Sequence, residues 1–126
     1  MIYQALVLRV DEDIEEEVLL RVGDIELACF ASVCPYKIEV GLSYPVELHP
    51  VVFDDYSVTA LPDETQPAVT RVGTGFAYVV TGKLSGDCLE SGGLVIEDEV
   101  LQRDFGYLEG KMITMKIDRM DVEFLR

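Results

Sequence analysis

The chain has 126 residues, 49% of them hydrophobic, and its 24 acidic and 10 basic side chains give a formal net charge of −14. This length favours one domain, residues 1–126, and the apolar content is sufficient for a core, which excludes a wholly disordered chain. The negative charge argues against nucleic acids and anionic membranes as ligands, because both present phosphate groups that the protein would repel.

The cysteine content and the N-terminal segment indicate a compartment. Cys29, Cys34 and Cys88 form an odd set, which argues against a disulfide framework. The first apolar run has no basic residues before it and acids directly after it, so we expect a first strand rather than a signal peptide. No apolar run approaches the roughly 20 residues that a membrane-spanning helix needs. We therefore expect a cytoplasmic protein whose thiols are free.

The first three predicted elements form a meander. Residues 2–10 alternate with apolar side chains on both faces, which predicts a well-covered strand, and a turn follows at residues 11–13. Residues 14–22 have apolar spacing that also fits a helix, but their alternation favours a second strand. The Gly-Asp pair at 23–24 then predicts a tight turn into a third strand.

The centre of the chain, residues 25–53, has an apolar run at each end. We expect these two runs to pair and the other strands to be laid around them. Leu27 and Leu48 lie on the predicted buried faces. Pro45 and Pro50 cannot donate a hydrogen bond to a neighbouring strand, so the second run is predicted to be an edge strand or to contain bulges.

The second half of the chain is predicted to contain a short strand at 56–61 and a longer strand that begins at residue 76. Residues 62–75, between them, are predicted to be an exposed loop, or a loop with a short strand at 68–72. Gly82 in the middle of the longer strand indicates a bulge or a barrel corner. Residues 97–107 are left open between strand and helix, because their apolar spacing fits a short helix as well.

The last element, residues 111–125, changes phase near Asp118. Ile113 and Ile117 share one face before this point, and Val122 belongs to an apolar set that has slipped by one residue. A bulge there would bend the strand, which is how a sheet closes on itself. The fold class is therefore predicted to be all-β, a small closed or nearly closed antiparallel barrel of the oligonucleotide-binding (OB) type with at most one short helix.

No motif of a catalytic, nucleotide-binding or metal site is present. The glycines at 73–75 lack the lysine and the helix pattern of a phosphate-binding loop. His49 is the single histidine, and neither Cys34 nor Ser43, the two nucleophiles it could serve, lies in a nucleophile motif. The cysteines and His49 also lack the paired spacing of a zinc site. We predict no catalytic residues, no cofactor and no metal.

Two functional interpretations follow. The first is a non-enzymatic binding protein that docks a basic protein partner, as an inhibitor, an immunity-type protein or an assembly subunit. Its predicted contact residues combine aromatic anchors with acidic neighbours: Tyr44, Glu47, His49, Asp54, Asp55 and Tyr56. The alternative is a small enzyme, or a ligand- or metal-binding barrel, that uses His49 with nearby cysteine or acidic residues. Neither interpretation predicts an oligomeric state.

Overall fold

The computed structural model of the protein describes residues 1–11, 13–14 and 16–126. Most regular structure in these residues is β-strand, joined by an α-helix, α1 (Glu99–Phe105), and a short 3-10 helix (Gly106–Leu108). The strands, in chain order, are β1 (Ile2–Val10), β2 (Glu17–Val22), β3 (Ile25–Val33), β4 (Ser43–Val51), β5 (Val58–Leu61), β6 (Ala68–Arg71), β7 (Tyr78–Ser85), β8 (Cys88–Ser91), β9 (Leu94–Glu97), β10 (Met112–Ile117) and β11 (Arg119–Phe124).

Five of these strands form a ring in the order β1-β2-β3-β11-β4, in which β4 pairs again with β1. Neighbours in the ring are antiparallel except for β3 and β11, which run parallel. The remaining strands form a second sheet. The predicted all-β class is therefore confirmed, whereas the OB type of barrel stays a prediction.

The predicted meander of β1, β2 and β3 is confirmed. β2 pairs with β1 on one side and with β3 on the other. Its alternate residues, including Val18 and Val22, are buried, so the period of two decides the structure rather than the helical spacing. Gly23 has a φ of 59° in the tight turn before β3. Glu12 and Glu15, which fall in the predicted turn and second strand, lie outside the described residues.

The two central runs do not pair as expected, because β11 lies between β3 and β4. β4 has a partner on each side and is not an edge strand. Pro45 has no N–H to donate to the carbonyl of Leu125. That carbonyl accepts a hydrogen bond from the hydroxyl of Tyr36 instead. The pairing of β4 with β1 begins at Glu47 and Ile2 and does not extend to Pro50. No residue of β1 therefore requires an N–H from Pro50.

The second sheet is inserted between β4 and β11. Its strand order is β5-β10-β7-β8-β9, and β6 pairs with β7. The short strand predicted at 56–61 corresponds to β5. Of the two alternatives for residues 62–75, the structure has the loop with a short strand, β6, but a separate sheet was not expected. The phase change near Asp118 is present and has a larger cause than a bulge. At Asp118 the chain leaves the second sheet and enters the ring, so β10 and β11 face the core from different sheets.

Buried residues of the ring and of the second sheet belong to one hydrophobic core, and two tyrosine hydroxyls also join the ring to the second sheet. The hydroxyl of Tyr78, on β7, accepts a hydrogen bond of 2.6 Å from the N–H of Ala28 on β3. The hydroxyl of Tyr3, on β1, accepts one of 2.6 Å from the N–H of Val95 and donates one of 3.1 Å to the Val95 carbonyl. These bonds fix the position of the second sheet relative to the ring.

Residues 97–107, for which the sequence allowed either a strand or a helix, contain the helix α1. Asp98 caps this helix, because its side chain accepts a hydrogen bond of 3.0 Å from the N–H of Val100. Leu101 is the buried residue of the helix and anchors it to the core. In the part of the chain that the structure describes, no helix has the length and apolar content to cross a membrane.

Candidate functional site

The structure separates the six residues of the predicted binding surface into three groups. Tyr44, near the start of β4, packs into an aromatic cluster. Glu47 and His49 project from the outside of the ring, since Val46 on the alternate face of β4 is buried. Asp54, Asp55 and Tyr56 lie in the loop after β4, next to α1.

Tyr44 has a packing role. Its ring stacks on Tyr36 with the centroids 5.6 Å apart, and it meets Phe124 edge-on at 6.0 Å. Its hydroxyl accepts a hydrogen bond of 2.9 Å from the N–H of Glu39. Tyr44 therefore holds the segment between β3 and β4 against the ring and offers little free surface.

Glu47 and His49 meet a third residue, Glu123 of β11, and we call these three residues the histidine cluster. Glu47 lies directly opposite Glu123 in the antiparallel pairing of β4 with β11. Nε2 of His49 is 3.2 Å from Oε1 of Glu123 and 3.7 Å from Oε2 of Glu47. One donor atom from each residue lies within 4.8 Å of the others. A recess of about 90 Å³ adjoins Glu47 and His49, and Met1, Leu48, Val95 and Glu97 complete its lining.

The third group forms an aromatic surface with acids beside it. The ring of Tyr56 packs on Phe105 with the centroids 6.4 Å apart, and Phe105 packs on Tyr107 at 6.5 Å. The side chain of Tyr107 is 77% exposed. Asp54 and Asp55 are exposed and directly precede Tyr56. We call these five residues the Tyr56 patch.

A hydrogen bond holds the Tyr56 patch in place. The hydroxyl of Tyr56 donates to Oδ2 of Asp98, the residue that caps α1 through its other oxygen. Burial, followed by the hydrogen bond and the charge of Asp98, raises the pKa of Tyr56 to about 12. Tyr56 thus remains a neutral donor at physiological pH and fixes the loop after β4 against the helix.

None of the cysteines belongs to the histidine cluster. Cys29 is fully buried, and burial raises the pKa of its thiol. Cys34 is exposed and lines a groove of about 640 Å³. Burial and the hydrogen bond to Asp87 raise the pKa of Cys88 to about 11, so its thiol is a poor nucleophile at neutral pH. The thiol of Cys34 donates a hydrogen bond to the carbonyl of Tyr36, whereas His49 contacts Glu123, so the structure shows no hydrogen bond between Cys34 and His49.

The residues missed from the sequence are Glu123, Phe105 and Tyr107. Glu123 is 74 positions from His49 along the chain and becomes its neighbour only through the pairing of β4 with β11. Phe105 packs against the core, and its ring also contacts Tyr56 and the exposed Tyr107. No local sequence pattern reports either juxtaposition.

Comparison with known proteins gives a family but no activity. No curated protein and no solved structure matches the chain. Residues 1–125 match the family described as Uncharacterised conserved protein UCP019853. Because this match extends over nearly the whole sequence, the chain belongs to that family.

Proposed function

We propose that the protein is a non-enzymatic interaction protein that docks a basic segment of a partner protein on the Tyr56 patch. The observation that carries this proposal is the row of three aromatic rings, ending at the exposed Tyr107, with Asp54 and Asp55 exposed beside it. Aromatic faces attract lysine and arginine side chains, and carboxylates next to them add charge complementarity. Tyrosines at the centre of a contact are also typical binding hot spots.

The overall charge supports a basic partner. With a formal net charge of −14, the molecule produces a negative field that accelerates the approach of a positive segment. Three of its own cations are engaged with carboxylates, since Arg71 pairs with Glu17, Arg103 with Asp104 and Arg119 with Asp121. The acids of the Tyr56 patch are exposed and available to a partner.

The Tyr56 patch is also ordered before binding. Tyr56 is fixed by Asp98 and Phe105, so its ring needs no reorientation to receive a ligand. Ordering a loop on binding costs free energy, and a preformed surface avoids that cost. This arrangement favours a docking role for the loop after β4 over a role as a plain connection.

For the architecture, we propose that the ring is a small barrel of the OB type. It has five strands, and the last of them in the chain lies between the third and the fourth. Barrels of this type commonly bind oligonucleotides, but the charge of this chain disfavours such a ligand. An experimental structure in which β4 and β1 were unpaired would contradict the barrel.

Association kinetics with a peptide rich in lysine and arginine test the docking site. The double variant Asp54→Lys with Asp55→Lys changes the net charge by +4, from −14 to −10. The matched control is Asp63→Lys with Glu64→Lys, which makes the same change in exposed residues between β5 and β6. We expect a slower association and a flatter salt dependence for the first variant, and a much smaller effect for the control. Equal effects would show that net charge alone attracts the peptide.

A second variant separates aromatic contact from charge. Removing a hot-spot aromatic costs more than about 1 kcal/mol of binding, so Tyr107→Ala should raise the dissociation rate about fivefold or more while it leaves the association rate nearly unchanged. Val40→Ala, a truncation of an apolar side chain that is 62% exposed elsewhere, is the control. An unchanged dissociation rate in the tyrosine variant would remove the Tyr56 patch from consideration.

A further inference from the structure

We infer that Glu47, His49 and Glu123 form a binding site for a divalent transition-metal ion of the Zn²⁺ class. The three residues lie on two paired strands of the ring, and all project from its outer surface. Such a site does not depend on the docking function proposed above, because it shares no residue with the Tyr56 patch.

The strand register explains why a cation belongs here. Glu47 and Glu123 face each other directly across β4 and β11, and like charges in that position destabilise a sheet. Glu97 adds a third carboxylate across the adjoining recess, where its Oε1 is 3.3 Å from the N-terminal amine. An ion between Glu47 and Glu123 would turn the repulsion into shared coordination.

The distances fit a metal with short bonds. The ligand atoms of a tetrahedral ion with bonds of about 2.1 Å lie about 3.4 Å apart. Nε2 of His49 is 3.2 Å from one carboxylate and 3.7 Å from the other, which brackets that separation. The third separation is within 4.8 Å. The two glutamate side chains, each 37% exposed, can close it by rotation about their own bonds, while the paired strands hold the backbone.

The donor set selects the class of ion. One imidazole nitrogen with two carboxylates disfavours Ca²⁺ and Mg²⁺, which take oxygen ligands in larger number. Imidazole suits Zn²⁺, Cu²⁺, Ni²⁺ and Fe²⁺. Three protein ligands leave the fourth position of a tetrahedron open, and the recess of about 90 Å³ beside it has room for water at about 30 Å³ per molecule.

Titration calorimetry of the full chain with ZnCl₂ tests the site. We expect one strong equivalent for the wild type. Losing only a partner that orients a ligand weakens metal binding by about 10–100-fold, so His49→Ala and Glu123→Gln should each weaken zinc binding at least tenfold. Glu90→Gln, at an exposed acid on β8, and Cys34→Ser, at the exposed thiol, are the controls and should leave the affinity unchanged.

Thermal melts provide a second readout that also checks folding. Zinc should raise the melting temperature of the wild type and of both controls, and not that of His49→Ala, since only a folded protein with the site gains from binding. No strong equivalent in the wild type would overturn the inference. The inference would also be overturned if His49→Ala and Glu123→Gln bound zinc as tightly as the wild type. The same holds if both control variants lost as much zinc affinity as the two cluster variants.

Discussion

At the scale of single residues, Gly82 is explained by a close approach of two backbones. The pairing of β7 with β10 is regular around Gly82, so no bulge is present there. A Cβ at this position would lie 2.2 Å from the carbonyl oxygen of Glu90 and 2.8 Å from its carbon. Since both are backbone atoms of β8, the strand itself must shift to accept a side chain.

Gly82→Ala should therefore destabilise the protein by about 1–3 kcal/mol, the usual cost of overpacking. Gly106→Ala is the matched control, because Gly106 has a φ of −58° and nothing within 4 Å of an added Cβ. The control should be neutral or slightly stabilising. Urea denaturation measures both, and equal stabilities for the two variants would mean that β8 moves aside at little cost.

Tyr56 gives a pH dependence whose sign follows from its environment. Burial and Asp98 raise its pKa in the folded protein to about 12, above the value of 10.0 for an unperturbed tyrosine. The folded state thus holds its proton more tightly. The stabilisation is complete below pH 10 and is lost as the pH rises towards about 12. Urea melts at pH 8, 10 and 11 should show this decline, and Tyr56→Phe should make it shallower. A decline of the same slope in the variant would assign it to other groups.

Residue alternation predicted burial well where a strand has one clear inner face. Leu27 was expected inside and is fully buried. Leu48 was expected to be equally buried and is only partly so. The contact of Glu123 with His49 could not be predicted, because it depends on a strand pairing between distant parts of the chain.

At the scale of elements, the hydroxyl of Tyr78 connects β7 to β3. β11 pairs with β3 only from Phe30 onwards. The N–H of Ala28, on the side of β3 away from β2, therefore has no strand partner and donates to the hydroxyl of Tyr78. Tyr78→Phe should cost about 1–3 kcal/mol, because it leaves a buried N–H without an acceptor. Tyr107→Phe, at a ring that is 77% exposed, should change stability by less than about 0.5 kcal/mol.

Hydrogen exchange identifies the bond that is lost. The amide of Ala28 should exchange faster in Tyr78→Phe, whereas amides in the pairing of β1 with β4 should keep their protection relative to global stability. Retained protection at Ala28 would mean that water or a shifted strand replaces the tyrosine hydroxyl.

The local sequence pattern predicted where the strands lie better than it predicted which strands pair with each other. The β1-β2-β3 meander follows from alternation and a tight turn, both of which are local signals. The phase change at Asp118 was also visible in the sequence. The consequence of this phase change was not visible. The segment between β4 and β11 forms the second sheet, and β11 then lies in the ring between β3 and β4. Prolines in β4 suggested an edge, but Tyr36 and the start of β1 accommodate them within a paired strand.

At the scale of the whole molecule, the charge that favours a basic partner also opposes the compact state. A net charge of −14 on 126 residues produces self-repulsion in the folded chain, and this repulsion is larger than in the expanded unfolded chain. The ion pairs seen in the structure act in the opposite direction. They are partly exposed, as in Arg71 with Glu17, and such pairs contribute little.

Added salt should therefore stabilise the protein. The screening length falls from about 30 Å at 0.01 M to about 3 Å at 1 M, which removes repulsion between distant acids before it weakens contacts at ion-pair distance. We expect the urea midpoint to rise as NaCl increases over this range. The variant Asp63→Lys with Glu64→Lys has a net charge of −10, because the two substitutions change the charge by +4. Its urea midpoint should rise less. A midpoint that falls with salt in both proteins would show that attractive pairs, rather than the excess of acids, dominate the electrostatics of the fold.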